Sequence, residues 1–591
     1  MIKLIINNKE VQAEEGTTIF TAAKQNNILI PHFCYLENVH KSGSCRICVV
    51  EVEGVRNLMA SCITEVKEGM VIQTNSERVR NVRKVLYELM LSDHNKECLS
   101  CWRNQNCELQ ELGNIIQIDE YRYEGQRSKD FIDESSPSIV RDNSKCILCR
   151  RCVTICNEVQ GVGLMNPHHR GFSTFIGPSE EELLGDSICA NCGQCVLVCP
   201  VGALKETNST SHVWEALYDK SMIVIVQTAP AVRAALGELF GYPAGTLVTG
   251  KMVSALHEMG FNDVFDTNFA ADLTIMEEGS EFLERVKKVL IPSEETAVLP
   301  MITSCSPGWI KYVEHQFPDQ LAHLSSCKSP HMMLGALAKT YFAEKIGVDP
   351  KDIFVVSVMP CTAKKFEILR PEMYHEGLAN VDAVITTREL GRMIKDAGID
   401  FQNLPEGSFD SPLGLSSGAA DIFGTTGGVM EAALRTVYEL VTGRELPTEH
   451  LHLQPLMGLD RIKSAELLIE DPLPEYDFLK GVLVRVAVTS GLKGAAELMN
   501  QIKDGTSPYH FIEIMGCPGG CISGGGQPRP VNDAIRMERL KAIYREDEGK
   551  SMRKSHENPD IATLYKEFLG APLGNLSHKL LHTTYTIRKK S

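Results

Sequence analysis

No apolar run in this 591-residue sequence approaches membrane-spanning length, and the opening residues MIKLIINNKE lack the basic flank and apolar stretch of a signal peptide. A cytoplasmic chain with no membrane partner is the expectation. Positive charge is also short: 60 Lys and Arg stand against 76 Asp and Glu, a formal net charge of -16. That balance argues against nucleic acid as a partner, because phosphate binding needs a basic surface. No convincing dinucleotide-binding fingerprint is present. Nor does any cysteine fall between Cys199 and Cys305. The gap divides the chain near residue 210 into small cysteine-bearing modules and one large domain, as a length beyond a single core requires.

What is abundant is cysteine, 20 in all. In a reducing compartment such clusters are metal ligands rather than disulfides. The first group, Cys34, Cys45, Cys48 and Cys62, lies in CYLENVHKSGSCRICVVEVEG and a following SC. Four thiolates from a loop and nearby strand ends suit a [2Fe-2S] cluster, with Gly43 and Ser44 letting the backbone wrap close; zinc is the alternative, since four cysteines alone do not distinguish the metals. The second group is His94, Cys98, Cys101 and Cys107 in HNKECLSCWRNQNC. A histidine four residues before a CxxC is a candidate metal ligand beside the three cysteines, and zinc is one reading of that set. The third and fourth groups, Cys146, Cys149, Cys152, Cys156 and Cys189, Cys192, Cys195, Cys199, repeat the spacing of bacterial two-cluster ferredoxins. In that arrangement the fourth cysteine of each run ligates the other run's cluster, so Cys199 joins Cys146, Cys149 and Cys152, and Cys156 joins Cys189, Cys192 and Cys195. Pro200 follows the second run, but Asn157 follows the first.

Residues 2 to 12 read as a hairpin, and Thr17 or Thr18 can cap a helix through Lys24. Val79, Val82, Val85, Leu86, Leu89 and Met90 recur at helical spacing ahead of His94, while residues 120 to 140 are polar and read as a linker. Beyond 210, apolar runs alternate with helical stretches, which predicts parallel α/β architecture. Met222 to Val226 leads into Thr228-Ala229-Pro230, Ala297 to Ile302 into Thr303-Ser304-Cys305, Ile353 to Val358 into Met359-Pro360-Cys361, and Phe511 to Ile514 into Met515-Gly516-Cys517. Ligands bind beyond the carboxyl ends of parallel strands, so these loops are candidates to share one pocket.

The strings TSCSPGW from Thr303, MPCTAKKFE from Met359 and EIMGCPGGCISGGGQP from Glu513 resemble, in order and spacing, the three signature motifs of [FeFe]-hydrogenases. The resemblance spans nearly the whole chain, including GTTGGVMEAALR at 424–435. Its first two cysteine groups also resemble the large iron-sulfur subunit of respiratory complex I. The resemblance implies a multidomain α+β and α/β protein. A β-grasp [2Fe-2S] domain would occupy 1–76, a [4Fe-4S] domain with one histidine and three cysteine ligands 77–125, a two-cluster ferredoxin-like domain 138–209, and a two-lobed hydrogenase domain with parallel sheets 210–591. It further implies one [2Fe-2S] cluster, three accessory [4Fe-4S] clusters and an H-cluster, a [4Fe-4S] cubane joined to a two-iron unit bearing CO, cyanide and azadithiolate.

By that resemblance Cys361, Cys517 and Cys521 are cubane ligands, Cys521 bridging to the two-iron unit. Lys364 contacts a cyanide, and Ala229, Pro230, Met359 and Met515 line the pocket. Glu278, Glu281, Ser325 and Arg285 form a proton path; MEEGSEFLER reads as a helix that puts the two glutamates on one face, although a solvated acidic face has the same pattern. The usual motif has two adjacent cysteines, a proton donor and then a ligand, where this chain has Cys305 and Ser306. Either Ser306 ligates as an alkoxide, or Cys305 is recruited to iron and the relay is altered. Cys327 matches no role and reads as a buried structural thiol.

The implied activity is reversible formation of H₂ from protons and electrons, with electrons relayed from a ferredoxin or from NADH-linked, flavin-binding partner subunits, an electron-bifurcating complex included. A complex I-like electron-transfer subunit without hydrogen chemistry is the alternative, and the three C-terminal motifs disfavour it. Nicotinamide chemistry would belong to a partner, because the glycine run beside Cys521 is better explained by the cluster.

Overall fold

The computed structural model describes all residues except 38, 119, 129, 180–181, 292–296, 448–460 and 589–591. Two compact units divide the chain: Met1–Val159 with Gly163–Ser187 and Val198–Lys205, and Gln160–Val162 with Ile188–Leu197 and Glu206–Ser591. Cys189, Cys192 and Cys195 thus belong to the large unit and Cys199 to the small one. Among the described residues no helix is long and apolar enough to cross a membrane.

In the small unit, strands Ile2–Ile6 and Lys9–Ala13 pair antiparallel, Ile6 opposite Lys9. Asn7 and Asn8 turn the corner with φ of 51° and 65°, the two positive values that a tight hairpin needs and asparagine tolerates. Strand Val71–Gln73 pairs parallel to the first strand and antiparallel to Val49–Val52, which pairs with Met59–Ala60. Helix Ile19–Gln25 is capped by Thr18, whose side chain accepts from Thr21 N.

Helix Glu77–Ser92 begins after the cap Ser76, but its buried face is not the apolar stripe expected from sequence. Leu89 is 50% exposed, whereas Val79, Arg83, Tyr87 and Leu91 are buried. The reason is polar: Arg83 Nε and Nη2 donate to the carbonyls of Ile47 (3.0 Å) and Val49 (2.7 Å), and Tyr87 hydroxyl donates to Leu109 O. The stretch 120–140 likewise is not simply a linker. Arg122 clasps Glu88, whose buried carboxylate requires a donor, Ser128 bonds Asp93, and Ile132–Asp133 pairs with strand Ile139–Asp142.

Among the described residues the large unit holds two four-stranded sheets and a small hairpin, Tyr374–His375 with Leu378–Ala379. In the first, parallel strands run in the order Asp263–Asp266, Ile223–Thr228, Ile353–Met359, Ala383–Thr386. In the second the order is Met301–Ile302, Phe511–Met515, Val482–Ser490, Ile462–Ile469, parallel except for the last, antiparallel pair. Only the end of the expected strand 297–302 is a strand. Each sheet has its own apolar core. Helix Thr267–Leu290 contributes to both, and it buries Asp272, Glu277, Glu278 and Glu281.

Replacing Arg83 by Met leaves two buried carbonyls without donors, at about 1–3 kcal/mol each. Hydrogen exchange of the Ile47–Val52 amides in the full chain should accelerate by at least tenfold on this ~1.4 kcal/mol-per-decade scale; unchanged protection would show that Arg83 is dispensable to the loop.

Candidate active site and cluster-ligand sites

Among the described residues no cysteine is paired in a disulfide. In the small unit Cys34, Cys45, Cys48 and Cys62 are buried, and the sulfur of Cys62 lies within hydrogen-bonding contact of those of Cys34 and Cys48. Cys34 also meets Cys45. Four thiols crowded this closely around one point, behind a backbone pinned by Arg83, fit a metal cluster.

His94, Cys98 and Cys107 line a cavity of about 560 Å³, and Cys101 sits against Gly202, where a Cβ would come within 2.6 Å of its sulfur. His94 is buried and its Nδ1 has no hydrogen-bond partner among the described residues. Burial holds its pKa down to about 4, so the ring is neutral and offers a lone pair. An orphaned neutral imidazole facing cysteines fits a metal ligand better than surface polarity.

Cys146, Cys149, Cys152 and Cys199 line one further cavity with Arg141, Pro200 and Ala203. Cys156 lies in the turn Ile155–Val159 of the same unit. The two ferredoxin-like loops share a backbone signature: Leu148 and Arg150 flank Cys149 with φ of 55° and 63°, and Asn191 and Gly193 flank Cys192 with 56° and 68°. Holding the non-glycine members Leu148, Arg150 and Asn191 in the left-handed region costs about 1 kcal/mol each, which a loop bears when enclosing a ligand demands it.

In the large unit the loop of Cys192 is locked against the motif loops. Gly524, Gly525 and Gly526 lie so close to Pro360 O, Cys192 O and Thr386 that any Cβ would collide. Thr362 Oγ1 donates to Asn191 O (2.7 Å), Gln194 Nε2 to Ser523 O (2.8 Å), and Gly526 N to Pro360 O (2.7 Å). Cys361 converges here with Cys517 and Cys521, which share one loop. Burial pushes the Cys517 thiol well up, and the neighbouring sulfurs of Cys361, Cys192 and Cys521 push it further. Burial raises Cys521 to about 12, with Cys361 adding to it and Lys364 opposing. Thiols so placed ionise only with a metal to stabilise them. Gly519 and Gly520 turn there with φ of 82° and 95°, and a Cβ on Gly520 would sit 2.7 Å from Thr426 N. The donor set and its glycine cradle fit an iron-sulfur group.

Cys305 and Ser306 point to different neighbours. Cys305 is partly buried beside Glu278, Cys521 and Lys364; desolvation, then the Glu278 carboxyl, raise its thiol well above the ordinary range. Ser306 Oγ accepts from Gly516 N at 3.2 Å, next to Cys517. Lys364 Nζ donates to Cys305 O (3.1 Å) and pairs with Glu367 (2.8 Å), which also accepts from His331 and Ser329. Although burial opposes its charge, Lys364 and His331 hold Glu367 at about 2. Ala229, Pro230, Met359 and Met515 are all buried at the carboxyl ends of the two sheets, and Met515 shares its apolar cluster with Cys305 and Cys521.

Glu278, Glu281, Ser325 and Arg285 are brought together. Burial pushes Glu278 up to about 8, with a Ser325 hydrogen bond opposing. Ser325 Oγ also reaches Glu281 Oε2 (3.3 Å), and Arg285 Nη2 donates to Glu281 Oε1 (2.6 Å) and Leu324 O (2.7 Å). The sequence reading did not single out Glu513, which accepts from Gly427 N (2.7 Å) and Met430 N (2.8 Å) at the start of helix Gly428–Thr442. It also passed over Gln194, Ser326, His582 and Tyr585. Nothing local marks them, since each acts across a long sequence separation.

Parallel sheets whose loops gather buried cysteines, a lysine and a carboxylate chain, in a polypeptide with further cysteine sites, define an iron-sulfur oxidoreductase. Residues 222–525 match the iron only hydrogenase large subunit, C-terminal domain, and 533–588 the iron hydrogenase small subunit. Residues 1–77 match a 2Fe-2S iron-sulfur cluster binding domain, 83–122 the NADH-ubiquinone oxidoreductase-G iron-sulfur binding region, and 136–205 the ferredoxin-like domain of NADH-quinone oxidoreductase subunit 3. The chain is 50% identical over 596 residues to the NADP-reducing hydrogenase subunit HndD of Solidesulfovibrio fructosivorans, covering 100% of both. It is 41% identical over 600 residues to iron hydrogenase 1 of Clostridium pasteurianum, covering 99% of this chain and 100% of that one. A solved structure of a variant of [FeFe]-hydrogenase HydA1 from Chlamydomonas reinhardtii is 43% identical, with a TM-score of 0.57, covering 64% of this chain and 98% of that one. The chain belongs to the [FeFe]-hydrogenase family: it is an iron hydrogenase large subunit with accessory iron-sulfur domains.

Gly525→Ala should wedge the Cys192–Gly193 backbone away from the glycine loop, at about 1–3 kcal/mol of overpacking strain. The expected readout is slower reduction of the site by an external donor, with the three motif cysteines still ligated by electron paramagnetic resonance; wild-type kinetics would show the contact to be unnecessary.

Proposed function

We propose that this hydrogenase joins or separates H₂ at an H-cluster held by Cys361, Cys517 and Cys521, and that it works within an NAD(P)-linked complex in the cytoplasm. The carrying observation is the convergence of those three cysteines with Lys364, Cys305 and the Glu278 chain. The proposed accessory set is one [2Fe-2S] cluster on Cys34, Cys45, Cys48 and Cys62, and three [4Fe-4S] clusters: one on His94, Cys98, Cys101 and Cys107, and two on the ferredoxin-like runs. The lining of one cavity by Cys146, Cys149, Cys152 and Cys199 supports the crossed fourth ligand. The proposed domains keep the boundaries 1–76, 77–125, 138–209 and 210–591.

When bound, the H-cluster supplies the redox chemistry that combines two protons and two electrons. The protein's part is to hold it and to deliver protons. Lys364, fixed by Glu367 and by Cys305 O, presents a buried cation to anionic ligands. Protons enter at the Arg285–Glu281 pair, cross the Ser325 hydroxyl to Glu278 and reach the Cys305 thiol, which its environment keeps protonated. Cys305 thus has the relay position, while Ser306, on the Gly516–Cys517 side, has the position of the missing ligand. Full-length identity to a NADP-reducing hydrogenase subunit supports an NAD(P)-linked complex, and the lack of a dinucleotide fingerprint assigns that chemistry to partner subunits.

The matured chain alone should evolve H₂ from a reduced ferredoxin or viologen and should show infrared bands of metal-bound CO and cyanide. Rapid NADH-driven H₂ production by the single subunit would overturn the assignment of nicotinamide chemistry to a partner. Missing infrared bands would overturn the H-cluster reading.

Glu281→Gln should lower turnover by about 10²-fold or more, the usual loss for a positioned proton-transfer group, with accessory-cluster spectra unaltered. In the wild type, Glu278 holds its proton below about 8 and loses it as pH rises through that value. H₂ evolution should therefore decline across that interval, and a profile flat from pH 6 to 9 would remove Glu278 as a donor.

A further inference from the structure

The last turn of the chain brings a second titratable pair to the proton route. Residues after helix Asn575–Leu581 run beside 326–328, joined by Lys328 N to Leu581 O (2.7 Å), Thr583 N to Ser326 O (2.7 Å) and a bridge between Cys327 and His582. His582 is thereby buried with both ring nitrogens engaged. Nε2 lies 3.1 Å from Glu277 Oε2, and Nδ1 lies 2.7 Å from Ser326 Oγ. Ser326 in turn reaches Glu281: its hydroxyl is 2.9 Å from Oε2, and its backbone N–H lies 3.0 Å from the same oxygen.

The hydrogen-bonding roles follow from elementary chemistry. Burial disfavours the charge of Glu277, but hydrogen bonds from His582, Ser577 and Tyr565 hold its carboxyl below the usual range, so it is an acceptor and Nε2 carries a proton. Nδ1 is left facing a hydroxyl with one proton and two possible acceptors, Nδ1 and Glu281. A hydroxyl therefore stands between each successive pair of titratable groups: Ser325 between Glu278 and Glu281, Ser326 between Glu281 and His582. Glu277 and Glu281 face the ring from helix Thr267–Leu290, and Cys327 comes from the adjacent loop, its Sγ 4.0 Å from Glu281 Oε2. The exposed His578 ring stacks on His582 at 4.8 Å from the chain's own last helix.

We propose that the His582–Glu277 pair is a proton store for this hydrogenase, exchanging with Glu281 through Ser326. The step balances: His582 gives its Nδ1 proton to Ser326 Oγ as Ser326 gives its hydroxyl proton to Glu281 Oε2. His582 is left neutral with Nε2–H on Glu277, and Glu281 becomes the neutral acid. H₂ consumes two protons per turnover, and a loaded imidazolium keeps the second at hand; in H₂ oxidation the neutral ring accepts one. This rests on the reading of Glu281 as the proton-route carboxylate.

The test compares His582→Gln, Ser326→Ala, Glu277→Gln and Glu281→Gln in the full matured chain. Hydrogen–deuterium exchange at the imidazole carbon, followed by mass spectrometry, gives the His582 titration midpoint independently of turnover. Glu277→Gln, which takes the carboxylate acceptor from Nε2, should slow H₂ evolution as His582→Gln does. His582→Gln and Ser326→Ala should each slow H₂ evolution several-fold to about tenfold below the wild-type midpoint, less than the ~10²-fold of a group in direct line, and should converge with wild type above it. For H₂ oxidation the deficit should lie above the midpoint instead. His582→Gln and Ser326→Ala profiles superimposable on wild type, beside a Glu281→Gln that has lost turnover, would overturn the store while leaving the route intact. Full turnover in Glu281→Gln would remove the route and the store together.

Discussion

Sulfur ligands can be buried only where backbone closes around them, and in the large unit one three-way backbone contact makes that closure. Gly524–Gly526, Pro360–Thr362 and Cys192–Gly193 approach so closely that no side chain could stand between them. The contact joins the carboxyl end of a strand in the first sheet to the loop beyond Phe511–Met515 in the second, and ties both to the accessory cysteine run. Cys361, Cys517 and Cys521 face one another because of it. Lys364 and Glu367 then inherit their positions, being one turn beyond Pro360.

Helix Thr267–Leu290, which carries the carboxylates of the proposed proton route, is the complementary element. Its glutamates at 277, 278 and 281 are all buried, an arrangement sustained only by donors brought from elsewhere. Glu278 shares Ser325 with its neighbour and remains an acid, whereas Glu277 is held as a carboxylate by three side chains of the C-terminal segment. Neighbouring carboxyls on one helix thus take opposite protonation states, because one meets a single hydroxyl and a thiol and the other meets an imidazole, a phenol and a serine.

The candidate ligands of the accessory sites could be named from sequence because metal binding writes itself into local spacing: a CxxC loop brings two sulfurs together whatever surrounds it. The hairpin within residues 2 to 12 and a cap at Thr17 or Thr18 were legible from local pattern too, and the structure turns at Asn7-Asn8 and uses Thr18. The face of helix Glu77–Ser92 was not. Periodicity placed Leu89 inside, but a buried Arg83 reaching the Ile47 and Val49 carbonyls rotates the helix so that Leu89 is half exposed. A pattern of apolar residues cannot anticipate a charged side chain whose partners are backbone atoms more than thirty residues away.

The sequence by itself determined the chemistry on offer: which sulfurs could hold metal, which strand ends would carry them, and, through its three motifs, membership of the [FeFe]-hydrogenases. Tertiary structure alone decided which group faces which. It turned Cys305 toward Glu278 and Ser306 toward Gly516, and it brought His582 to Ser326 across 256 residues. The difference is physical. Ligand identity and loop conformation are properties of a few adjacent residues, whereas protonation state and orientation depend on burial and on partners that only the folded chain brings within hydrogen-bonding distance.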